Sequence, residues 1–186
     1  MSVREKGFTL IELMITLVVL GILLLVAVPN FGSFVAQSRV DAVKSKLVSS
    51  IALARSEAIK RGAQVVICRR SAGSNTCAGT NVAGAADWSN GWLVYLDENA
   101  DLAIDVNGLI RVYADVDNAS TITYTRGDVV VYGDLGLLVT ASVGDETFVI
   151  GDAGDASAGA GLSLRPTGRI RMCADWTAST STCADN

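Results

Sequence analysis

The sequence predicts an α+β protein: a long N-terminal helix, transmembrane in its first half and amphipathic in its second, packed on an antiparallel β-sheet head. Three observations predict it. Residues 8–28 are apolar except for Thr9, Glu12, Thr16 and Gly21. Residues 34–61 contain no Gly or Pro and repeat apolar side chains at three- and four-residue steps. After Gly62 the pattern changes to short runs rich in β-branched and aromatic residues, separated by Gly, Asn, Asp and Ser.

The first segment, at about 1.5 Å per residue, spans roughly 30 Å, the thickness of a bilayer's hydrocarbon core. A signal peptide has a shorter apolar region, and no Ala-x-Ala-like site follows this one. Residues 8–30 therefore read as a transmembrane helix. Arg4 and Lys6 flank it on the N-terminal side, which places that end in the cytoplasm and the remainder across the membrane. Glu12 is out of place in such a segment, because an unpaired carboxylate there costs a few kcal/mol.

Residues 31–62 form the second helical part. Val40, Val43, Leu47, Ile51, Ala54 and Ala58 mark one face, and Ser38, Asp41, Lys44, Ser45 and Ser49 are interleaved with them. Gly62 is a natural stop. A break is expected near Pro29–Gly32, where proline removes a backbone hydrogen bond. Residues 63–186 are the β-rich head. Its strand candidates are 65–67, 92–96, 109–113, 121–124, 129–132, 146–150, 162–165 and 169–173. Residues 71–90 and 151–161, rich in Ala, Gly, Ser and Asp, read as mobile loops.

The formal charge of −4 is unevenly distributed: residues 1–60 hold seven Lys/Arg against four acids, and the rest hold eight against fifteen. An acidic head argues against nonspecific polyanion binding. Four cysteines suit an oxidising compartment. Pairing Cys68 with Cys77 and Cys173 with Cys183 is the simplest of three connectivities. A zinc site is disfavoured because the chain has no His and no Cys-x-x-Cys. The lack of His also removes the usual Ser–His and Cys–His nucleophile pairs, so no enzyme activity, metal or cofactor is expected.

Asp97-Glu98-Asn99-Ala100-Asp101 opens like a calcium loop, but Leu102 and Gly108 stand where that pattern needs Gly and Glu. A solvated turn is the simpler reading. Trp92, in an apolar run, reads as core, whereas Trp88 and Trp176, in polar stretches, read as subunit or ligand surface. Arg169 and Arg171 alternate about a strand, which puts two guanidinium groups about 7 Å apart on one face with Arg165 nearby. That spacing suits neighbouring phosphates, with solvated or salt-bridged arginines as the alternative.

Lys6-Gly7 followed by Phe8-Thr9-Leu10-Ile11-Glu12 resembles the class III signal of type IV pilins and pseudopilins. The resemblance implies a leader of residues 1–7, cleavage by prepilin peptidase between Gly7 and Phe8, and N-methylation of Phe8. It implies that Glu12 pairs with the N-terminal amine of a neighbouring subunit and that Thr9 belongs to the assembly segment. Pro29 matches the family's kinking proline. Arg55-Ser56-Glu57-Ala58, Val66-Ile67-Cys68 and Asn90-Gly91-Trp92-Leu93-Val94 further resemble the FimT/FimU/GspH group of minor pilins and pseudopilins. The type IV pilin fold follows from that resemblance. So do other minor pilins, the major pilin and an inner-membrane assembly platform as partners, and inner-membrane insertion followed by entry into the pilus. A terminal cysteine pair is commoner in minor pilins, which puts a pilus-tip role ahead of type II secretion. Gly168-Arg169-Ile170-Arg171 resembles the motif linked to DNA binding in FimT-like members, which makes DNA a further candidate partner.

Overall fold

The computed structural model describes residues 7–114, 116–139 and 146–173, without the side chains of residues 24–30. It divides into two compact units, Met1–Val35 and Ala36–Asn186. One helix, α1 (Leu10–Arg61), contributes to both. The helical backbone continues through Pro29 and Gly32, where the sequence suggested a break. Proline's fixed φ is compatible with a helix, and the one bond it removes is outweighed by intact turns on either side. Among the described residues, no helix is long and apolar enough to cross a membrane.

In the first unit the apolar side chains from Phe8 to Leu23 are exposed on every side of the helix. In the second, Ala36, Val40, Val43, Leu47, Ile51, Ala54 and Ala58 are buried in a single stripe, which follows the three- and four-residue spacing of the sequence. The helix ends on Gly62, whose φ of +62° suits a residue without Cβ. Gly62 N–H and Ala63 N–H both donate to the Ala58 carbonyl, satisfying an otherwise orphaned acceptor.

Among the described residues nine strands follow: β1 (Gln64–Arg69), β2 (Ala86–Asp87), β3 (Trp92–Asp97), β4 (Leu109–Tyr113), β5 (Ser120–Tyr124), β6 (Val129–Tyr132), β7 (Glu146–Asp152), β8 (Gly159–Leu164) and β9 (Ile170–Met172). They form two antiparallel sheets, ordered β4-β3-β1-β6 and β2-β5-β7-β8-β9. Sequence pattern explains their different surroundings. β5 and β7 alternate buried and more exposed residues, as a sheet with one covered face requires. β3 and β6 are buried at every position, and their runs WLVYLD and VVVY have no polar alternation. One face of that sheet joins the α1 stripe through Val65, Ile67, Trp92, Val94 and Val130. The other carries Val66, Cys68, Leu93, Tyr95, Val129 and Val131, covered by Cys77, Leu102 and Ile104.

Three expectations for the head need correction. Residues 71–90 are not a loose loop. Cys68 and Cys77 form a disulfide with Cα atoms 5.6 Å apart. Arg69 is ion-paired with the buried Asp128, which also accepts the Asn81 N–H at 3.2 Å. Trp88, expected at a surface, is completely buried. Its indole N–H donates to the Gly127 carbonyl at 3.0 Å, and its ring meets Tyr124 and Phe148 edge-on at 5.6 and 5.1 Å. Polar neighbours in sequence misled the reading, because the chain enters the core for only a few residues around β2. The stretch 151–161 is likewise shortened to a turn, since β7 runs to Asp152 and β8 begins at Gly159. Trp92 is core as expected, its indole N–H donating to Ser50 Oγ at 2.9 Å.

Tyr124 is buried and donates its hydroxyl hydrogen bond to Glu146, itself buried. Burial foremost, then the neighbouring Glu146 charge, pushes the Tyr124 hydroxyl pKa up. Burial acts in the same direction on Tyr95 and Tyr132.

Candidate functional site

Two groups of candidate residues lie far apart in sequence. The first is the N-terminus of α1. Thr9 immediately precedes the helix, and its Oγ1 accepts the Glu12 N–H at 3.3 Å while its carbonyl accepts the Leu13 N–H at 3.2 Å. Thr9 is therefore the helix cap, with Glu12 at the third helical position. The Thr-x-x-Glu spacing is a capping signature, legible in the sequence but masked there by the larger motif around it. A carboxylate in the first turn also meets the positive end of the helix dipole. Phe8 is 82 % exposed. A Cβ placed on Gly7 would meet nothing within 4 Å, so the fold itself makes no demand for glycine there. Pro29 falls among the residues whose side chains are not described.

The second group sits on the β8–β9 hairpin. Leu164 pairs with Ile170 and Ser163 with Arg171. Arg165 N–H donates to the Arg169 carbonyl at 2.9 Å, and Gly168 N–H donates to the Arg165 carbonyl at 2.8 Å. The turn thus brings Arg165 opposite Arg169, and strand alternation places Arg171 on the same face. Arg165 and Arg169 are exposed, whereas Arg171 is half-buried. Ile170, between them, packs against the core.

Two positioning residues at this hairpin were missed by the sequence reading. Arg55 donates to the Gly168 carbonyl at 3.3 Å, and so does the Tyr132 hydroxyl, also at 3.3 Å. Gly168 itself has φ +73°, and a Cβ there would lie 2.2 Å from the Gly136 carbonyl oxygen. No local signal announces these contacts, since Arg55, Tyr132, Gly136 and Gly168 are scattered along the chain.

The remaining candidates resolve as follows. Asp97 is buried, and its carboxylate accepts the N–H groups of Asp101 and Leu102, each at 3.1 Å. Asp105 accepts the Glu98 N–H at 2.8 Å. These acids fold inward on their own loop, and among the described residues no group of three or more His, Cys, Asp or Glu converges to hold a metal. Cys173 is disulfide-bonded. Cys183 and Trp176 lie outside the described residues.

Comparison with known families gives these features a context. A family model described as type II transport protein GspH matches residues 45–181. The chain belongs to that family. A second model, the prokaryotic N-terminal methylation motif, matches residues 3–28 of this GspH-family chain and so covers Gly7, Phe8, Thr9 and Glu12. Among curated proteins, a fimbrial protein of Pseudomonas aeruginosa is 40 % identical over 62 residues, 33 % of this chain and 40 % of the relative. The type IV major pilin protein PilA of Myxococcus xanthus is 50 % identical over 44 residues, 24 % of this chain and 20 % of the relative. The type IV narrow pilus major component PilA5 of Thermus thermophilus is 45 % identical over 58 residues, 30 % of this chain and 50 % of the relative. The chain thus spans half or less of the length of each. The crystal structure of the type IV minor pilin FimU from Pseudomonas aeruginosa matches with a TM-score of 0.55 at 20 % identity, covering 77 % of this chain and 92 % of FimU. That likeness is one of fold: a long N-terminal helix on antiparallel sheets, the type IV pilin fold. The chain is a type IV pilin-like protein of the minor pilin and pseudopilin group, whose members are structural rather than catalytic.

Proposed function

We propose that this chain is a minor type IV pilin, inserted in the inner membrane, processed by prepilin peptidase between Gly7 and Phe8, and then joined to other minor pilins and the major pilin at a pilus tip. The observation that carries this reading is the placement of Glu12, within the methylation motif, in the first turn of a stretch of α1 whose large apolar side chains from Leu10 to Leu23 are all exposed. A helix apolar on all sides needs either lipid or other helices around it. The carboxylate needs a cation, and the amine that cleavage creates on a neighbour's Phe8 supplies one. Extraction from the bilayer into a helical bundle, driven by the inner-membrane platform, then exchanges an unpaired charge for a paired one. The fold shared with the minor pilin FimU is compatible with the minor-pilin reading.

The test is a Glu12→Ala variant expressed in the native host. It should insert and be cleaved normally, yet be missing from sheared pili. Recovery in pili at the unmodified level would sink the proposal. The Gly7→Ala variant serves as the processing control and should accumulate uncleaved.

Two further readings each have an observation in their favour. The hairpin that gathers Arg165, Arg169 and Arg171 supports DNA contact during uptake. Replacing Arg169 and Arg171 by Ala should then remove salt-sensitive DNA binding without affecting assembly. The description of the matching family supports a pseudopilin of type II secretion. In that case loss of the chain would stop exoprotein release and spare twitching motility.

A further inference from the structure

We propose that residues 71–81 form a redox-controlled strap, closed while Cys68 and Cys77 are joined and released when a dithiol reduces them, with the rest of the head still folded. The strap follows β1 and turns back on it. Ser71 N–H donates to the Thr76 carbonyl and Ala78 N–H to the Arg69 carbonyl, each at 2.9 Å. The disulfide joins Cys77 to Cys68, which lies inside β1. The far end of the strap is seated at Asp128. Asn81 N–H donates to the Asp128 carboxylate at 3.2 Å, and Asp128 N–H donates to the Asn81 carbonyl at 2.7 Å. The approach is close, since a Cβ on Gly127 would lie 2.3 Å from the Asn81 carbonyl oxygen. One anchor is therefore covalent and the other polar.

Apolar burial supplies no third anchor. The strap reads Ser-Ala-Gly-Ser-Asn-Thr-Cys-Ala-Gly-Thr-Asn, without one large apolar side chain. Among the described residues, Cys77 is its single contribution to either apolar cluster, packed against the outer face of β1, β3 and β6. Ordering a segment of small residues and glycine costs conformational entropy. The disulfide offsets that cost by restricting the conformations of the released loop. Without it, a few hydrogen bonds and the partly exposed Arg69–Asp128 ion pair must hold the strap. The remainder of the head is held in other ways. Cys68 stays paired with Leu93 and Val129 in the strand ladders, and the α1 stripe packs in a cluster to which neither cysteine belongs. Opening is therefore local.

Cys68 is buried and Cys77 half-buried, so the thiolate of a dithiol reaches the Cys77 sulfur first. Its attack breaks the disulfide, forms a mixed disulfide on Cys77 and leaves the Cys68 thiolate, which takes up a proton. The second thiol of the reductant then displaces Cys77, which is protonated in turn. Both cysteines end as thiols and the dithiol ends as a disulfide, with the two electrons and two protons coming from the dithiol. The strap thereby follows the thiol–disulfide balance around the head, closed in an oxidising compartment and open in a reducing one. It shares no residue with the N-terminal segment or the arginine hairpin, so its test is independent of the functional readings above.

The experiment follows amide hydrogen exchange of the full chain in detergent micelles, with and without dithiothreitol, while alkylation and mass spectrometry assign the cysteines reduced. Once Cys68 and Cys77 are reduced, the amides of Ser71, Ala78 and Asn81 should exchange at least about tenfold faster. The amides of Leu47 and Ile51 in α1 and of Val94 in β3 should keep their rates, and reoxidation should restore the strap. A Cys68→Ala/Cys77→Ala variant, which leaves Cys173 in place, should show fast strap exchange without dithiothreitol and no further change with it. Slow strap exchange in the reduced protein or in the variant would overturn the proposal, because Asp128 would then hold the strap alone. Equal acceleration in α1 and β3 would also overturn it, since the disulfide would then support the whole head. So would a Cys77 that dithiothreitol fails to reduce in the absence of denaturant.

Discussion

The two stretches of α1 differ in what surrounds them. From Leu10 to Leu23 its large apolar side chains all face solvent in the isolated chain, whereas from Ala36 to Ala58 one apolar stripe is buried and most other positions are polar or small, Val48 and Leu53 being half-buried. Both are regular helix. The second stretch finds its apolar surroundings within its own polypeptide, on the β-sheets of the head. Among the described residues of its own unit, the first finds no such partner. A helix's stability in a protein comes mainly from the burial of its apolar face, so the second stretch is stabilised by the head while the described part of the first gains nothing from burial within the chain.

The largest effect that sharpens this contrast is expected at Trp88. Trp88→Ala would empty a fully buried site against Tyr124 and Phe148 and remove a buried hydrogen bond, costing about 3–5 kcal/mol in urea unfolding of the head. The proposed cleavage between Gly7 and Phe8 should not depend on it. Next comes a matched pair of leucines. Leu47→Ala should destabilise the head by about 2–5 kcal/mol, because Leu47 is wholly buried. Leu17→Ala, at an exposed position of the same helix, should change head stability by no more than about 0.5 kcal/mol and should instead lower recovery in pili. Equal losses of head stability at both positions would break the contrast.

A smaller, pH-dependent effect should be confined to the head. Burial raises the hydroxyl pKa values of Tyr95, Tyr124 and Tyr132 above the ordinary value of 10.0. The folded state therefore holds these protons more tightly than the unfolded chain. Their contribution is complete below the unfolded value and is lost as pH rises through and beyond it. Melting temperatures of the head should fall steadily above about pH 10, and Tyr132→Phe should make that fall shallower. A flat profile to pH 11 would show that the hydroxyls ionise freely in the folded protein.

Much of this was legible from residue order. β4 and β6 were read at their observed bounds, because alternating or continuous β-rich runs between turn residues are a local signal. The α1 stripe was read at six of its seven buried positions, since helical periodicity is carried by neighbours a turn apart. Gly7, Phe8 and Glu12 stood out through their order within an apolar segment. The arginines of the β8–β9 hairpin were read as two on one face with Arg165 nearby, but the contacts that hold their turn were not, because Arg55, Tyr132 and Gly136 come from distant parts of the chain.

By itself the sequence determined the α+β class, the contrast between the two helical stretches, most of the strands and the N-terminal motif, all of which depend on residues close in the chain. Only the tertiary structure decided that Trp88 belongs to the core, that the Ala- and Gly-rich stretch after β1 is pinned by Arg69–Asp128, that the strands of the described residues split into two sheets, and that Lys46 and Arg111 share a groove. Each of these joins residues tens of positions apart. Their partners are chosen by packing and by the need to satisfy buried polar groups, which no window of neighbouring residues contains.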